Sequence, residues 1–151
     1  MMKKKTIGII LACAMMFTSC GNTYSELPNQ FCSYYDAAGY DVPDYSQVTT
    51  FNHDTNEVLI TGNDDSFYKL KVCKNQKDAK DIYKHLEHTD NANFTVKHHK
   101  HDGKSYITMQ DEDSCYTIFR YGSNILTCWS VKNESKKSEE IFYDFIDTLA
   151  D

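Results

Sequence analysis

Long apolar runs are missing from this chain. The most apolar stretch, Ile7 to Phe17, holds eleven residues; counted from Thr6 to Cys20 it reaches 15. As helix that is about 22 Å, against a hydrocarbon core of about 30 Å, so the segment is too short to cross a bilayer. No Cys-x-x-Cys pair occurs, which leaves a thioredoxin-like redox centre or a zinc ribbon without support. A Gly-x-Ser-x-Gly elbow, a phosphate-cradling loop, a His-Glu-x-x-His zinc signature and EF-hand spacing are absent too. A non-enzymatic role with no cofactor is therefore the expectation. Positive charge is also scarce, with 16 basic residues against 22 acidic. That balance argues against nucleic acid and against electrostatic docking on anionic lipid.

What is present at the start is an address. Lys3-Lys4-Lys5, the apolar run and then Thr18-Ser19 before a cysteine have the charged, apolar and small-residue layout of a secretory signal peptide. The ending Phe17-Thr18-Ser19-Cys20 resembles the lipobox of bacterial lipoproteins, with Phe17 where Leu is usual. That resemblance implies cleavage before Cys20, a diacylglycerol on its thiol and anchoring by two or more acyl chains. Ile10-Leu11-Ala12-Cys13 also fits the box, but leaves only about six apolar residues before the cut, short for such a signal. Cys20 is the preferred site.

Removal of residues 1–19 leaves 132 residues, enough for one domain and too few for two. The lost segment carries three lysines and no acid, so 13 basic residues remain against 22 acidic, a net charge of −9. Membrane attachment is then expected to be covalent. Residues 20–26 form a polar tether and 27–151 the domain. Four cysteines follow the anchor, Cys32, Cys73, Cys115 and Cys128, allowing three connectivities of two bridges. Cys115 and Cys128 fall on strands expected to pair, on one face but diagonal, close to the limit of about 7 Å for bridging.

The domain opens with a helix, Leu27 to Ala38: Pro28 suits its first turn, Leu27, Phe31, Tyr35 and Ala38 make the stripe, and Gly39 is a natural stop. Tyr40 and Val42 are expected to fold back onto it. The period then becomes alternating. Val48–Phe51, Val58–Ile60 and Tyr68–Val72 read as strands, with a turn at Gly62 to Asp65. Asn75 caps a helix with Asp78 at its third position and a stripe of Ala79, Ile82, Tyr83 and Leu86. A strand opening at Phe94 and Val96 turns at Asp102-Gly103 into Tyr106–Gln110, and Asp111 to Asp113 turns again into Cys115–Tyr121. Gly122-Ser123 fits a two-residue type II′ turn into Asn124–Val131, which sets Tyr116 against Trp129 and Phe119 against Leu126. Both faces of that hairpin are apolar, so it belongs at the centre of the sheet. Ser135–Leu149 reads as the last helix, with Ile141, Phe142, Phe145, Ile146 and Leu149 on one side.

Lys74-Asn75 and Lys132-Asn133, 58 positions apart, each follow a strand and precede a helix. Two hairpin-then-helix halves would put both helices on one face. The expected class is α+β, an antiparallel sheet of about six to seven strands with helices mainly on one face. The mature pattern also resembles a loosely defined set of small uncharacterised bacterial lipoproteins, through Ala38-Gly39-Tyr40-Asp41-Val42, Ala79-Lys80 and Gly122-Ser123-Asn124. The resemblance implies no activity.

The most suggestive chemistry lies in His98-His99-Lys100-His101-Asp102. Imidazoles two apart on a strand project to the same side about 7 Å apart, so His99, His101 and Asp102 are the candidate metal ligands, against the favoured alternative of a hydrated hairpin tip. His85 and His88, three apart on a helix, are a weaker pair. Asp64-Asp65 and Asp111-Glu112-Asp113 gather carboxylates where turns favour Asp for backbone reasons. Eleven tyrosines and Trp129 make an aromatic binding face conceivable, either on the side of Cys115, Thr117, Phe119, Leu126 and Cys128 or on the opposite one. The expectation is a membrane-anchored, extracytoplasmic, non-catalytic binding or accessory module of the bacterial envelope, meeting an envelope protein or a soluble ligand. A metal-binding lipoprotein is the alternative, and an envelope hydrolase ranks third.

Overall fold

The computed structural model describes residues 26–42, 57–62, 65–89 and 93–149. Cys20 with its signal segment, most of the tether, the strand expected at Val48–Phe51 and Asp64 lie outside the described residues.

Helix α1 spans Leu27–Ala37 with Pro28 in its first turn, where a missing N–H loses no helical bond. It stops at Gly39, whose φ of 89° is open to glycine and strained for a side chain. The Gly39 N–H donates to the Asp36 carbonyl and the Tyr40 N–H to that of Tyr35, each at 2.9 Å, the bond pair of a Schellman motif. Tyr40 is thereby folded back, its ring 5.6 Å from that of Tyr35 and nearly perpendicular. Val42 follows it against the core.

Strands β1 (Glu57–Thr61) and β2 (Ser66–Val72) precede helix α2 (Gln76–Glu87). Strands β3 (Thr95–His101), β4 (Lys104–Gln110), β5 (Ser114–Tyr121) and β6 (Asn124–Val131) precede helix α3 (Ser135–Asp147). The fold is α+β, with a six-stranded antiparallel sheet in the order β1-β2-β6-β5-β4-β3. The β5–β6 hairpin does sit at its centre. Gly122 alone in the β5–β6 turn has a positive φ, 57°, as type II′ requires. The register it sets pairs Tyr116 with Trp129 and Phe119 with Leu126. In the β3–β4 turn both Asp102 and Gly103 have positive φ, 47° and 83°, the type I′ pattern. At the start of α2 the Asn75 side chain accepts from the Asp78 N–H at 2.9 Å, as its position in the sequence suggested.

Alternation sorts the side chains into two cores. Val58, Ile60, Tyr68, Leu70, Phe119 and Leu126 face α1 and α3, where Phe31, Phe142, Phe145 and Ile146 close over them. Burying each such side chain stabilises the fold by about 1.5–3 kcal/mol. On the opposite face Ile107, Met109, Ile118 and Ile125 meet Ala79, Ile82, Tyr83 and Leu86 of α2. Two of the three helices therefore share a face, while α2 takes the other. This corrects the expectation that both helices following a Lys-Asn pair lie on the same side. The physical reason is the central hairpin: Ile118 and Ile125 point away from α3, and only a helix on that side removes them from water.

Candidate functional site

The β3–β4 hairpin and the C-terminal half of α3 bring together His99, His101, Asp102, Tyr143 and Asp147. His99 and His101 project to the same side of β3, toward Tyr143 of α3. Nδ1 of His99 lies 3.0 Å from Thr108 Oγ1 and Nε2 lies 2.8 Å from the Tyr143 hydroxyl. Its ring is parallel to that of Tyr106 at 5.5 Å. Burial holds its pKa below the ordinary value; Glu139 opposes that shift and His101 adds to it.

His101 is held differently, its ring stacked on Tyr143 at 4.1 Å and its Nε2 3.5 Å from Asp102 Oδ2. Donor atoms of His101, Asp102 and Asp147 all lie within 4.8 Å of one another. Of the three residues singled out in the sequence, His101 and Asp102 fall in this cluster. His99, the third expected donor, instead spends both nitrogens on Thr108 and Tyr143, and Asp147 from the end of α3 stands in its place. No local pattern in the sequence marks Asp147, because only the docking of α3 against the hairpin tip brings it near. His98 points to the other face, 3.8 Å from Glu87. Nδ1 of His88 lies 2.7 Å from the Lys84 carbonyl, so that imidazole is engaged with the end of α2.

All four cysteines of the described residues are buried, and none is in a disulfide. The register pairs Cys115 with Ser130 and Cys128 with Thr117, leaving the two thiols diagonal and the bridge considered from the sequence unformed. The Cys115 thiol donates to Glu139 Oε1 at 3.5 Å and accepts from Gln110 Nε2 at 3.6 Å. Of the acidic turn at 111–113, Asp111 is committed to the backbone: its carboxylate accepts from the N–H of Asp113 and Ser114 and from the Ser114 hydroxyl. Those bonds hold its pKa below the usual range.

On the sheet face that carries α2, the register aligns Phe67, Trp129, Tyr116 and Met109 across β2, β6, β5 and β4. The Phe67 and Trp129 rings are stacked at 5.2 Å and 16°. Tyr116 continues the row 6.4 Å from Trp129, and Phe94 meets Tyr116 edge-on at 6.1 Å. These four aromatics are half-buried. Phe67 and Trp129 belong to neither core cluster. Leu59, the large hydrophobic most exposed among the described residues at 50%, stands on the same face, paired with Lys69. The row lies opposite Cys115, Thr117 and Phe119; no local pattern marks Phe67 as part of it, because its register against Trp129 depends on a non-local strand pairing.

No protein-family model matches this chain, and no curated protein matches it either.

Proposed function

We propose that the protein is a lipid-anchored, non-catalytic binding or accessory module at the outer side of a bacterial cell envelope. In this reading acylated Cys20 holds it to the bilayer, and the row Phe67, Trp129, Tyr116 and Phe94 meets a soluble ligand or another envelope protein. The observation that carries the binding role is the separation of Phe67 and Trp129 from both cores. Aromatics bury large area at small entropic cost, so a row of them kept half in water is suited to a partner rather than to folding. The anchor rests on Phe17-Thr18-Ser19-Cys20, and the acidic balance of the rest of the chain favours a covalent tether over electrostatic adsorption. Cys115 beside Glu139 is a poor nucleophile for the rival hydrolase reading. Burial, with the Glu139 charge adding to it, pushes that thiol up to about 11, whereas an attacking cysteine needs a lowered pKa.

Radioactive palmitate fed to cells labels the wild type and spares Cys20→Ala; equal labelling of both removes the anchor. A photo-crosslinking phenylalanine analogue at position 67 gives an adduct in intact cells, and the same analogue at Glu140 on α3 gives none. Adducts from both positions, or from neither, remove the contact face.

A further inference from the structure

We propose that His101, Asp102 and Asp147 form a binding site for a divalent transition-metal ion of the zinc class, at the tip of the β3–β4 hairpin. The proposal stands whether or not Cys20 is acylated.

One imidazole nitrogen and two carboxylates are a donor set that zinc accepts, and three protein ligands leave a fourth position for water or a ligand. The two carboxylates also balance the charge of a divalent ion. Their donor atoms already lie within 4.8 Å of one another, close enough to converge on one ion through side-chain rotation. Each donor is placed by a different local constraint. His101 is held by its stack on Tyr143, Asp102 by the left-handed backbone of the type I′ turn, and Asp147 by the last turn of α3. Asp147 is at present 3.4 Å from Lys104 Nζ, so an ammonium occupies part of the place the metal would take. That pair is surface-exposed and contributes little, which makes it easy to displace.

A second observation points into the same place. Tyr106 is 1% exposed and its hydroxyl has no hydrogen-bond partner, an unsatisfied polar group of the kind buried structure rarely keeps. Its ring lies edge-on to His101 at 6.5 Å. Burial raises its pKa most, and the charges of Asp147, Tyr143 and Asp102 raise it further. A metal-bound water, or a carboxylate drawn toward the ion, would give this phenol the partner it lacks.

The test is titration of the full-length protein in detergent with zinc chloride, followed by calorimetry, and with cobalt chloride, followed by visible absorption. One zinc per chain binds, and cobalt develops the visible bands of a low-coordinate site. His101→Gln and Asp147→Asn each weaken binding at least about tenfold. Lys104→Gln tightens it, because the competing ammonium is gone. Tyr106→Phe, which deletes only an unpartnered hydroxyl and so preserves the fold, weakens it severalfold. His99→Gln has no such effect, nor does the combined His85→Gln, His88→Gln, His98→Gln variant, which removes the other surface imidazoles of the described residues. Absence of binding overturns the proposal. So does binding that survives both His101→Gln and Asp147→Asn, or that disappears in the triple variant instead.

Discussion

The Tyr143 hydroxyl lies 2.8 Å from Nε2 of His99, a residue 44 positions earlier in the chain, and this contact ties the last helix to the edge strand of the sheet. Burial beneath α3 lowers the pKa of the imidazole, with Glu139 pulling the other way and His101 reinforcing the burial. In the unfolded chain the same ring takes up a proton near its ordinary value of about 6.5. The folded pKa is the lower of the two, so the contribution of His99 is complete above about pH 6.5 and is lost as pH falls through that value toward the folded pKa. Urea unfolding at about pH 7.5 and about pH 5.5 measures it. His99→Gln is expected to lose less stability than the wild type over that interval. An equal loss in both would assign the pH dependence elsewhere.

The thiols give a second expectation. Burial pushes Cys32 up to about 12 and Cys115 up to about 11, so at neutral pH both are protonated as well as covered. Alkylation with iodoacetamide followed by peptide mapping should leave Cys32 and Cys115 unmodified in the folded protein and fully modified in denaturant. Cys128, opposite Thr117, should also be modified in denaturant without prior reduction, since no disulfide holds it. Recovery of Cys115 joined to Cys128 would restore the diagonal bridge that the strand spacing first suggested.

Much of the architecture could be foreseen where a local device sets it. Gly122-Ser123 determines the β5–β6 register, hence Tyr116 opposite Trp129. Gly39 and Asn75 mark a helix end and a helix start through their own backbone chemistry. The side on which α2 packs was not foreseeable in this way, because Ile118 and Phe119 are both apolar and a stripe of Ala79, Ile82, Tyr83 and Leu86 suits either face. The hairpin shows the same boundary. Two-residue spacing places His99 and His101 on one side of β3, but what covers that side is set by α3, and Tyr143 takes His99 while Asp147 joins His101.

The cap of α2 offers a test of a purely local term. Asn75 Oδ1 accepts from the Asp78 N–H at 2.9 Å and shows extended backbone, the geometry of a helix N-cap. Asn75→Ala is expected to cost about 1 kcal/mol in urea unfolding, with Asn75→Ser or Asn75→Asp recovering most of it. Because α2 covers Ile107, Ile118 and Ile125, fraying of its first turn should also speed amide exchange at Ala79. Unchanged stability in Asn75→Ala would mean that packing of Ala79 alone holds the first turn.

The aromatic row and the core make opposite demands on the same kind of substitution, which separates a contact surface from a structural one. Phe31 is fully buried, 4.8 Å from the Tyr35 ring and 5.4 Å from that of Phe145, so Phe31→Ala removes a filled core position at a cost of about 3–5 kcal/mol. Phe67 and Trp129 are half-buried and outside both cores. Truncating either to Ala should cost only about 1 kcal/mol, near the average for point substitutions. Their stacking adds a coupling of about 0.5–1.5 kcal/mol in a double-mutant cycle. Urea unfolding of the three single variants and the Phe67/Trp129 double variant supplies every quantity, with loss of the near-ultraviolet dichroism of Trp129 in Phe67→Ala as an independent sign of the stack. A cost at Phe67 or Trp129 as large as that at Phe31 would make the row part of the fold's own packing and withdraw the proposed contact face. A small cost, joined to loss of the position-67 adduct when Trp129 is replaced by Ala, would leave recognition as the reason those rings face water.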